Sequence, residues 1–261
     1  MPRFSANLSM LFPDTPFLDR FALAAKAGFK AVEYLVPTAF KSRDLGERIR
    51  EHNLKQALFN MPAGDWAAGE RGVSALLGRE DEFVQSLDVT LEYAKATGTP
   101  CVHLMAGKIP QGADLAEMER LYTKHLAQAA DFFAPHGITV CIEPLSTHNT
   151  PGYFLRTQAQ GAKYIEELGR PNLKLQFDFF HVQLEEGNVA VRFRQFFPLI
   201  GHCQMAGVPE RHEPDTGELR YEYIFDVVDG MGYQGYIGCE YAPARGTMEG
   251  LGWFEPYREH Q

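Results

Sequence analysis

Four oxygen-bearing side chains end short apolar runs that are typical of buried β-strands. Asp178 ends the run LQFD, and the equivalent positions of CIE, IGHCQ and YIGCE are Glu143, Gln204 and Glu240. A buried carboxylate needs a cation or a dense shell of hydrogen bonds, because burying an unpaired charge costs several kcal/mol. Each residue alone is compatible with a helix cap or a loop hydrogen bond, but the repeated pattern favours a shared metal site.

These four residues together have the chemistry of a hard metal site. Three carboxylates and one amide oxygen suit Mg²⁺ or Mn²⁺ and are poor ligands for copper or structural zinc. Successive members are separated by about one strand-and-helix unit, so adjacent parallel strands would bring their carboxyl ends together. We therefore predict one divalent cation at the carboxyl-terminal mouth of a barrel.

Hydrophobic periodicity predicts the elements that would position this set. Strand-like and helix-like segments alternate for eight rounds of roughly 30 residues each. The predicted strands cover 4–8, 31–35, 56–60, 101–105, 138–143, 173–178, 200–205 and 236–240. The predicted helices cover 17–27, 42–52, 80–97, 115–133, 157–168, 189–197 and 223–231. This pattern is typical of an α/β fold, a single (β/α)8 TIM barrel, with one catalytic domain over residues 1–261.

The composition of the chain excludes several classes of function. Hydrophobic residues make up 45% of the chain, enough for a large core, and the formal net charge of −9 argues against a nucleic-acid partner. No run approaches the ~20 apolar residues of a membrane span, and the start lacks a signal-peptide pattern, so we expect a cytoplasmic protein. The four cysteines lie in apolar runs without CxxC spacing, which indicates reduced core residues.

The segment after the third predicted strand is long for a connection in a compact domain. It reads FNMPAGDWAAGERG over residues 59–72 and fits neither the helical nor the strand period. Loops of this kind tend to be lids or binding loops. Trp66 would either cover the site when the loop closes or pin the loop as one buried aromatic residue.

Longer motifs reveal a resemblance to a known family. They are RFSANLSMLF (3–12), PAGDWAAGERG (62–72), EPDTGELRY (213–221) and GLGWFEPYR (250–258), and they span nearly the whole chain. With these motifs the chain resembles the hydroxypyruvate isomerase family, in the xylose-isomerase-like barrel superfamily that includes the ketose 3-epimerases.

The resemblance implies roles for the four residues. Glu143, Asp178, Gln204 and Glu240 would be the metal ligands, and Glu143 and Glu240 would also form the acid/base pair. Ketose 3-epimerases have a histidine at the position of Gln204, so the chain is more similar to the isomerases. The neutral amide also makes the site harder than imidazole would and favours Mg²⁺.

The implied reaction interconverts hydroxypyruvate and 2-hydroxy-3-oxopropanoate, also called tartronate semialdehyde. Hydrogen moves from carbon 3 to carbon 2 through a cis-enediolate, as a carboxylate removes one proton and a carboxylic acid delivers another. A divalent cation on the two substrate oxygens would stabilise the negative charge that develops there. The sequence does not decide which glutamate is the base.

The substrate carboxylate or hydroxyls need contacts of their own. Superfamily relatives have a histidine after the aspartate ligand and an arginine after the third ligand, which implies substrate contacts for His181 and Arg211. Lys108, in the loop after the fourth predicted strand, is a weaker candidate for an anion contact. Without the resemblance, a lone histidine is more often a structural donor and a loop arginine a surface ion pair. Glu185 would either orient His181 or begin the next helix.

The remaining polar residues are assigned from their positions alone, without a specific catalytic or binding role. Asn7, Asn60 and His103 would line the mouth or satisfy backbone groups. The remaining histidines, in helical or terminal stretches, are assigned to solvent, among them His52, His125, His136 and His260.

Several alternative functions stay open. A 2-oxotetronate isomerase would use the same motifs with a slightly larger pocket. A ketose 3-epimerase is disfavoured by Gln204, and a DNA-repair endonuclease by the net charge of −9 and the short ligand set. A non-catalytic sugar-acid binding protein would not need both Glu143 and Glu240. The expected partner is a small-molecule sugar acid, without nucleic acid or membrane, and a homo-oligomer is one option for the assembly.

Overall fold

Eight parallel strands form a closed barrel in the computed structural model, which describes residues 1–261. Each strand pairs with its neighbours in sequence, and the last strand pairs with the first. The strands are β1 Arg3–Asn7, β2 Ala31–Tyr34, β3 Lys55–Asn60, β4 Cys101–His103, β5 Thr139–Ile142, β6 Leu173–Asp178, β7 Ile200–Met205 and β8 Tyr236–Cys239. The predicted (β/α)8 fold is confirmed.

Helices connect the strands. The α-helices are α1 Arg20–Ala27, α2 Ser42–Glu51, α3 Glu80–Thr97, α4 Leu115–Phe133, α5 Gln158–Leu168, α6 Phe179–Glu185, α7 Val189–Phe196, α8 Tyr221–Gly230 and α9 Thr247–Gly250. Short 3-10 segments lie at Phe17–Asp19, Pro37–Ala39, Ala134–His136, Phe197–Leu199 and Leu251–His260. None of the helices is both long enough and apolar enough to cross a bilayer.

Residues at the helix ends account for where several helices begin and stop. Gly28 ends α1 with a φ of 104°, a left-handed conformation that glycine adopts without steric cost. Asp114 caps α4 by accepting hydrogen bonds from the backbone N–H groups of Ala116 and Glu117. Thr157 caps α5 in the same way. Gly28 therefore marks the end of α1, and Asp114 and Thr157 mark the starts of α4 and α5.

The strands bury residues on both faces, with different chemistry on each. Phe177 of β6 packs against Phe193 of α7, with ring centroids 5.5 Å apart, and belongs to a core of 65 buried hydrophobic residues. The alternate residues of the same strand, Gln176 and Asp178, are buried as well. Gln176 forms a hydrogen bond with Gln204 of β7. The hydrophobic core therefore packs against the outer face of the barrel, and the interior of the barrel carries polar side chains.

Helix α6 begins directly after β6 and was not predicted. The apolar run LQFDFFHV is typical of a strand along its whole length. The side chain of Asp178, in the middle of this run, nevertheless caps a helix that begins at the next residue. Glu185 therefore ends this helix, and the expectation that it begins one is wrong. Its carboxylate accepts hydrogen bonds from Thr147 and pairs with Arg156 at 2.7 Å, and it forms no hydrogen bond or ion pair with His181.

The assignment of His125 to solvent is also wrong. This residue lies on the inner face of α4 and is buried. Its ring stacks on Phe83 of α3, with centroids 3.9 Å apart, and its Nδ1 lies 2.8 Å from the carbonyl oxygen of Ser74. A polar ring can occupy such a position because a backbone partner satisfies it.

The four cysteines match the interpretation of reduced core residues. All are buried and none forms a disulfide. Burial raises the pKa of the Cys203 and Cys239 thiols, which keeps them neutral and unreactive.

Candidate active site

Asp178 joins β6 to α6 and commits one oxygen to the backbone. Its Oδ1 accepts a hydrogen bond from the backbone N–H of Phe180 at 2.8 Å. Its Oδ2 is buried and has no hydrogen-bond partner. Within 4.0 Å of that oxygen lie Nε2 of His181, at 3.7 Å, and a guanidinium nitrogen of Arg211, at 3.9 Å. The helix cap thus fixes the side chain and leaves one oxygen free for a ligand.

Glu143 and Glu240 directly follow β5 and β8, so both stand at the carboxyl-terminal mouth of the barrel. Oε1 of Glu143 is buried without a hydrogen-bond partner, and its Oε2 lies 3.5 Å from Nδ1 of His103. Oε2 of Glu240 accepts a hydrogen bond from the Arg211 guanidinium at 2.6 Å. One glutamate is therefore almost without partners, while the other forms a close ion pair.

Burial raises the pKa of all three carboxyl groups. For Glu143 the pKa lies well above its usual range, because the negative charges of Glu240 and Asp178 add to the burial. The pKa of Asp178 is raised to about 6 and that of Glu240 to about 7, although the positive charge of Arg211 opposes both shifts. Carboxyl groups with pKa values near neutrality can give and take protons at physiological pH.

Gln204 lies opposite Asp178 in the register between β6 and β7. Both the oxygen and the nitrogen of its side-chain amide have a protein partner. Oε1 accepts a hydrogen bond from Nε2 of Gln176, and Nε2 donates to Oε1 of Glu33 at 2.8 Å. The amide is therefore held from both ends inside the barrel.

The donor atoms at this mouth fit a divalent cation. Ligand atoms of Glu143, Asp178 and His181 lie within 4.8 Å of one another. Two carboxylate oxygens in this group, Oε1 of Glu143 and Oδ2 of Asp178, are buried without a hydrogen-bond partner. Such atoms cost free energy unless a cation or ligand satisfies them.

The four predicted metal ligands have different contacts in the structure. Glu143 and Asp178 lie together, and His181, predicted as a substrate contact, joins them. The carboxylate of Glu240 is paired with Arg211, and the amide of Gln204 is hydrogen-bonded inside the barrel. All four side chains belong to the same mouth, and their role as metal ligands stays a prediction.

His181 is held by the loop that follows β5. Its Nδ1 accepts a hydrogen bond from the backbone N–H of Ser146 at 3.2 Å, and the Ser146 hydroxyl lies at the same distance. Because Nδ1 is an acceptor, the proton of the neutral ring lies on Nε2, which faces Asp178. Burial lowers the pKa of His181 well below its usual value, with a further contribution from the charge of Arg211. The ring is therefore a neutral hydrogen-bond donor.

Arg211 spans the mouth from the loop after β7. Its backbone is left-handed, with a φ of 60°, which costs free energy for a residue with a side chain. The guanidinium lies 5.0 Å from the Phe180 ring and also approaches Oδ1 of Asn149 at 3.4 Å. Strain of this kind persists where surrounding contacts hold a residue in place.

A cavity of about 480 Å³ opens above these carboxylates. Glu143, Glu240, His181 and Arg211 line it, whereas Asp178 and Gln204 do not. The other lining residues come from five loops and are Ser9, Met10, Leu35, Val36, Asn60, Trp66, Arg71, Met105, Lys108, Leu145, Asn149 and Thr150. The structure thus gathers the predicted proton-transfer and substrate-contact residues around one cavity.

Two further cations, Lys108 and Arg71, line the same cavity. Lys108 was predicted, but Arg71 was not. The Arg71 guanidinium stacks on the Trp66 ring at 3.8 Å and donates hydrogen bonds to the carbonyl oxygens of Trp66 and Glu70. The signal available in the sequence was the position of Arg71 within the long loop over residues 59–72. Trp66 is half-buried, lines the cavity and supports this arginine, so closure over the site and pinning of the loop both stay predictions.

The three polar residues expected near the mouth have different positions. Asn60 lines the cavity, and its Oδ1 lies 3.2 Å from Nδ1 of His103. Burial lowers the pKa of His103 to about 3, so its ring is neutral. Asn7 donates a hydrogen bond to Glu33 in the barrel interior.

Glu33 is the second residue that the sequence analysis missed. It lies in β2, is completely buried, and contacts Ser5, Asn7, His202 and Gln204. The sequence carried a signal for it, because the run AVEYLV places one carboxylate inside an otherwise apolar strand. Like Asp178, Glu33 is a carboxylate in a buried strand and needs partners for its charge.

Comparison with known proteins places these observations in a family context. The family described as xylose isomerase-like TIM barrel matches residues 21–257. A Cupriavidus necator protein named 2-oxo-tetronate isomerase is 52% identical over 98% of this chain and 99% of its own length. An Escherichia coli protein named hydroxypyruvate isomerase is 40% identical over 99% of this chain and 100% of its own length.

Solved structures agree with the fold. A crystal structure from Brucella melitensis described as AP endonuclease, family 2, is 47% identical, has a TM-score of 0.96 and covers 99% of this chain and 100% of its own. The E. coli 3-keto-D-glucoside 4-epimerase YcjR has a TM-score of 0.79 at 20% identity, over 98% of this chain and 99% of its own. At that identity the likeness concerns the fold alone.

Proposed function

This chain belongs to the xylose isomerase-like TIM barrel family, and we propose that it is an isomerase of short 2-oxo acids that carry a hydroxyl group on carbon 3. Hydroxypyruvate and 2-oxotetronate both meet that description, since the second differs only by an added hydroxymethyl group. In each case hydrogen moves from carbon 3 to carbon 2 through a cis-enediolate. The observation that carries the proposal is that two glutamates with raised pKa values line one cavity with three cations.

The glutamates supply the proton transfers. One carboxylate removes the proton from carbon 3, and a carboxylic acid delivers a proton to carbon 2. Without a bound cation, burial raises the pKa of both Glu143 and Glu240, which favours the protonated carboxyl group that one of the two steps needs. Arg211 donates a hydrogen bond to Glu240 at 2.6 Å, so its positive charge acts more directly on the pKa of Glu240 than on that of Glu143. The forward roles of the two glutamates can be exchanged without changing the chemistry.

We propose that Glu143, Asp178, Gln204 and Glu240 hold one Mg²⁺ or Mn²⁺. The buried, partnerless oxygens of Glu143 and Asp178 support this assignment. When bound, such a cation stabilises negative charge on the two substrate oxygens. The neutral His181 ring, with its proton on Nε2, can donate a hydrogen bond to a substrate oxygen at the same place.

The cations around the cavity suit an acidic substrate. Glu70, the residue next to Arg71, accepts from Arg79 at 2.7 Å and from the backbone N–H of Asp65, so its charge is committed elsewhere. Neither Arg71 nor Lys108 forms an ion pair with a carboxylate. Unpaired cations beside a set of carboxylates would offset the repulsion of an anion. We assign the substrate carboxylate to them.

Two observations favour the four-carbon acid as the better substrate. Three relatives named 2-oxo-tetronate isomerase are 52, 48 and 45% identical to this chain, against 40% for the E. coli hydroxypyruvate isomerase. The cavity of about 480 Å³ also leaves room for a further hydroxymethyl group. Hydroxypyruvate, the substrate implied by the motifs, stays the second candidate.

An endonuclease activity, suggested by the description of the Brucella structure, has less support. The net charge of −9 disfavours DNA, whose phosphates need clustered cations. The histidines and acidic residues form one group that could hold a metal, composed of Glu143, Asp178 and His181. A cleavage assay on DNA with an abasic site should therefore show no metal-dependent product.

A substrate panel tests the proposal. Purified protein with Mg²⁺ is offered hydroxypyruvate, 2-oxotetronates and neutral ketoses, and the products are identified by NMR. We expect turnover of the acids, with a higher kcat/KM for the four-carbon acid, and none of the ketoses. Turnover of ketoses alone would refute the assignment of an acidic substrate.

Removal of the metal tests the cofactor. Dialysis against EDTA should abolish turnover, and Mg²⁺ or Mn²⁺ should restore it. Full activity in protein shown to be metal-free by elemental analysis would contradict the proposed role of the cation.

A further inference from the structure

We propose that Glu33 is a positioning residue that sets the orientation of the Gln204 amide, so that its oxygen is the atom presented to a cation. The inference rests on the proposed metal site. Glu33 lies in β2, separated from β7 by β8 and β1 in the closed barrel, and is completely buried. None of its atoms lines the cavity, so it would act through Gln204.

Both oxygens of Glu33 are engaged. Oε1 accepts hydrogen bonds from Nε2 of Gln204 at 2.8 Å and from Nδ2 of Asn7 at 3.2 Å. Oε2 accepts from the Ser5 hydroxyl at 2.9 Å and lies 2.9 Å from Nε2 of His202. Four partners from strands β1 and β7 therefore hold the carboxylate in one place.

The chemistry of a carboxylate gives this network a direction. A carboxylate accepts hydrogen bonds but cannot donate one, so the amide of Gln204 must turn its nitrogen towards Glu33. The amide oxygen then points the other way, where Nε2 of Gln176 donates to it. A carbonyl oxygen has two lone pairs, so one remains for a cation. With the amide reversed, Gln204 would present an N–H group, which repels a cation.

Glycine at position 238 makes room for this arrangement. Gly238 lies opposite Gln204 in the register between β7 and β8. A Cβ atom at this position would lie 2.2 Å from Oε1 and 2.3 Å from Oε2 of Glu33. The carboxylate thus crosses the barrel interior into space that only glycine leaves open beside Gln204.

A neutral glutamine at position 33 would fill the same volume as the glutamate. The two side chains differ in how they constrain the orientation of Gln204. A buried carboxylate costs more desolvation free energy than an amide of equal size. An amide, however, can donate as well as accept, so it would tolerate either orientation of Gln204. The carboxylate therefore allows only one arrangement, in which Gln176 donates to the oxygen of Gln204 and the nitrogen of Gln204 donates to Glu33.

Metal affinity tests this inference independently of turnover. Mn²⁺ binding to Glu33→Gln is measured by electron paramagnetic resonance, with Ser5→Ala as the matched control. The control removes a hydrogen bond to Oε2 and leaves the contact with Gln204 intact. We expect Glu33→Gln to weaken Mn²⁺ binding by roughly 10- to 100-fold, the range seen for residues that orient metal ligands, and Ser5→Ala to bind as the wild type does.

Two results would overturn the inference. One is wild-type Mn²⁺ affinity in folded Glu33→Gln, and the other is an equal loss in Ser5→Ala, which would indicate general loosening of the network. A wild-type protein that binds no Mn²⁺ would instead refute the proposed metal site itself, and this inference with it.

A measurement on the wild-type protein covers the case in which Glu33→Gln does not fold. Selective ¹³C and ¹⁵N labelling of glutamine allows the Gln204 side chain to be followed during titration with Mg²⁺. We expect the carbonyl carbon of Gln204 to shift on binding, while its NH₂ group keeps the signature of a hydrogen bond to Glu33. Absence of any Mg²⁺-dependent change at the Gln204 carbonyl would overturn the inference.

Discussion

The two mouths of the barrel hold cavities of similar size and opposite chemistry. The cavity at the carboxyl-terminal mouth has a volume of about 480 Å³, and one at the amino-terminal mouth about 420 Å³. Glu143 and Glu240 line the first, together with three cations. The second is lined by residues such as Cys101, Tyr233 and Tyr236 and contains no carboxylate. Volume alone does not distinguish them, whereas the distribution of charge does.

The difference follows from the direction of parallel strands. Each strand ends in a loop that is free to vary, so residues just past the strand ends can carry chemistry without weakening the barrel. Asp178 illustrates this, because one of its oxygens caps α6 and the other is left unpaired. At the amino-terminal mouth the corresponding positions, such as Cys101, contribute to packing.

The largest effect is expected from removing the acid/base groups. Glu143→Gln and Glu240→Gln each keep the shape of the side chain but cannot exchange a proton. We expect either substitution to lower kcat by about 10³-fold or more, near the upper range for general acid or base catalysis. Steady-state kinetics on the preferred acid measures this loss.

Circular dichroism and thermal unfolding serve as the control for these two variants. Both should remain folded, because neither side chain hydrogen-bonds to the backbone of a helix or strand. A kcat within a few-fold of the wild type in either variant would contradict the claim that catalysis depends on the glutamates of the carboxyl-terminal mouth.

A smaller effect is expected from the cation that the sequence analysis missed. Arg71→Met keeps much of the contact with Trp66 but removes the charge. We expect KM for the acid to rise roughly 10- to 100-fold, since a hydrogen bond to a charged group contributes about 1.5–3 kcal/mol, with little change in kcat. Arg50→Met, at an exposed position on α2, is the matched control and should leave KM unchanged. An unchanged KM in Arg71→Met would assign the substrate carboxylate elsewhere.

The carboxyl-terminal mouth should also make stability depend on pH in metal-free protein. Burial raises the pKa of Asp178 to about 6 and of Glu240 to about 7, so the folded state keeps protons that the unfolded chain has released. Stability is therefore highest at low pH with respect to these groups and falls as the pH rises from 3.8, the usual pKa of aspartate, to about 7. Thermal unfolding in EDTA should show Tm falling by roughly 2–4 °C for every kcal/mol lost.

Addition of Mg²⁺ supplies the check on this pH dependence. A cation that binds the ionised carboxylates should raise Tm most at the upper end of the range. A Tm that rises with pH in EDTA over this window would contradict the direction of the pKa shifts.

The smallest effect is expected at the amino-terminal mouth. Lys55→Met changes an exposed residue that lines the second cavity, where no proposed function resides. We expect kcat/KM to stay within about twofold and stability within about 0.5 kcal/mol of the wild type. A tenfold loss of activity would show that the second cavity contributes to catalysis.

The architecture was largely predictable, because the barrel repeats one local pattern. Boundaries of the long elements α3, α4, β6 and β7 were predicted as observed, since their hydrophobic periods are unambiguous over many residues. Helix α6 was missed because FFHV continues the apolar run of β6. Only the side-chain cap of Asp178 on Phe180, a contact that periodicity does not report, separates the two elements.

The candidate site was predictable in its composition but not in its contacts. The residues at strand ends were identified from their positions and His181 from the family resemblance, and Glu143, Asp178, His181 and Glu240 lie at one mouth. Arg71 and Glu33 were not identified, because their roles depend on distant partners. The carboxylate of Glu70 pairs with Arg79 and not with the neighbouring Arg71, and Glu33 meets Gln204 only when the barrel closes.

The most direct test of the central claim is the fate of the transferred hydrogen. The preferred acid is converted in deuterium oxide and its product is followed by proton NMR. Transfer by Glu143 and Glu240 through an enediolate predicts deuterium at carbon 2 of the product, because a carboxyl group exchanges its proton with solvent. Complete retention of the original hydrogen, with no deuterium at that carbon, would indicate direct hydride transfer and contradict the assigned roles.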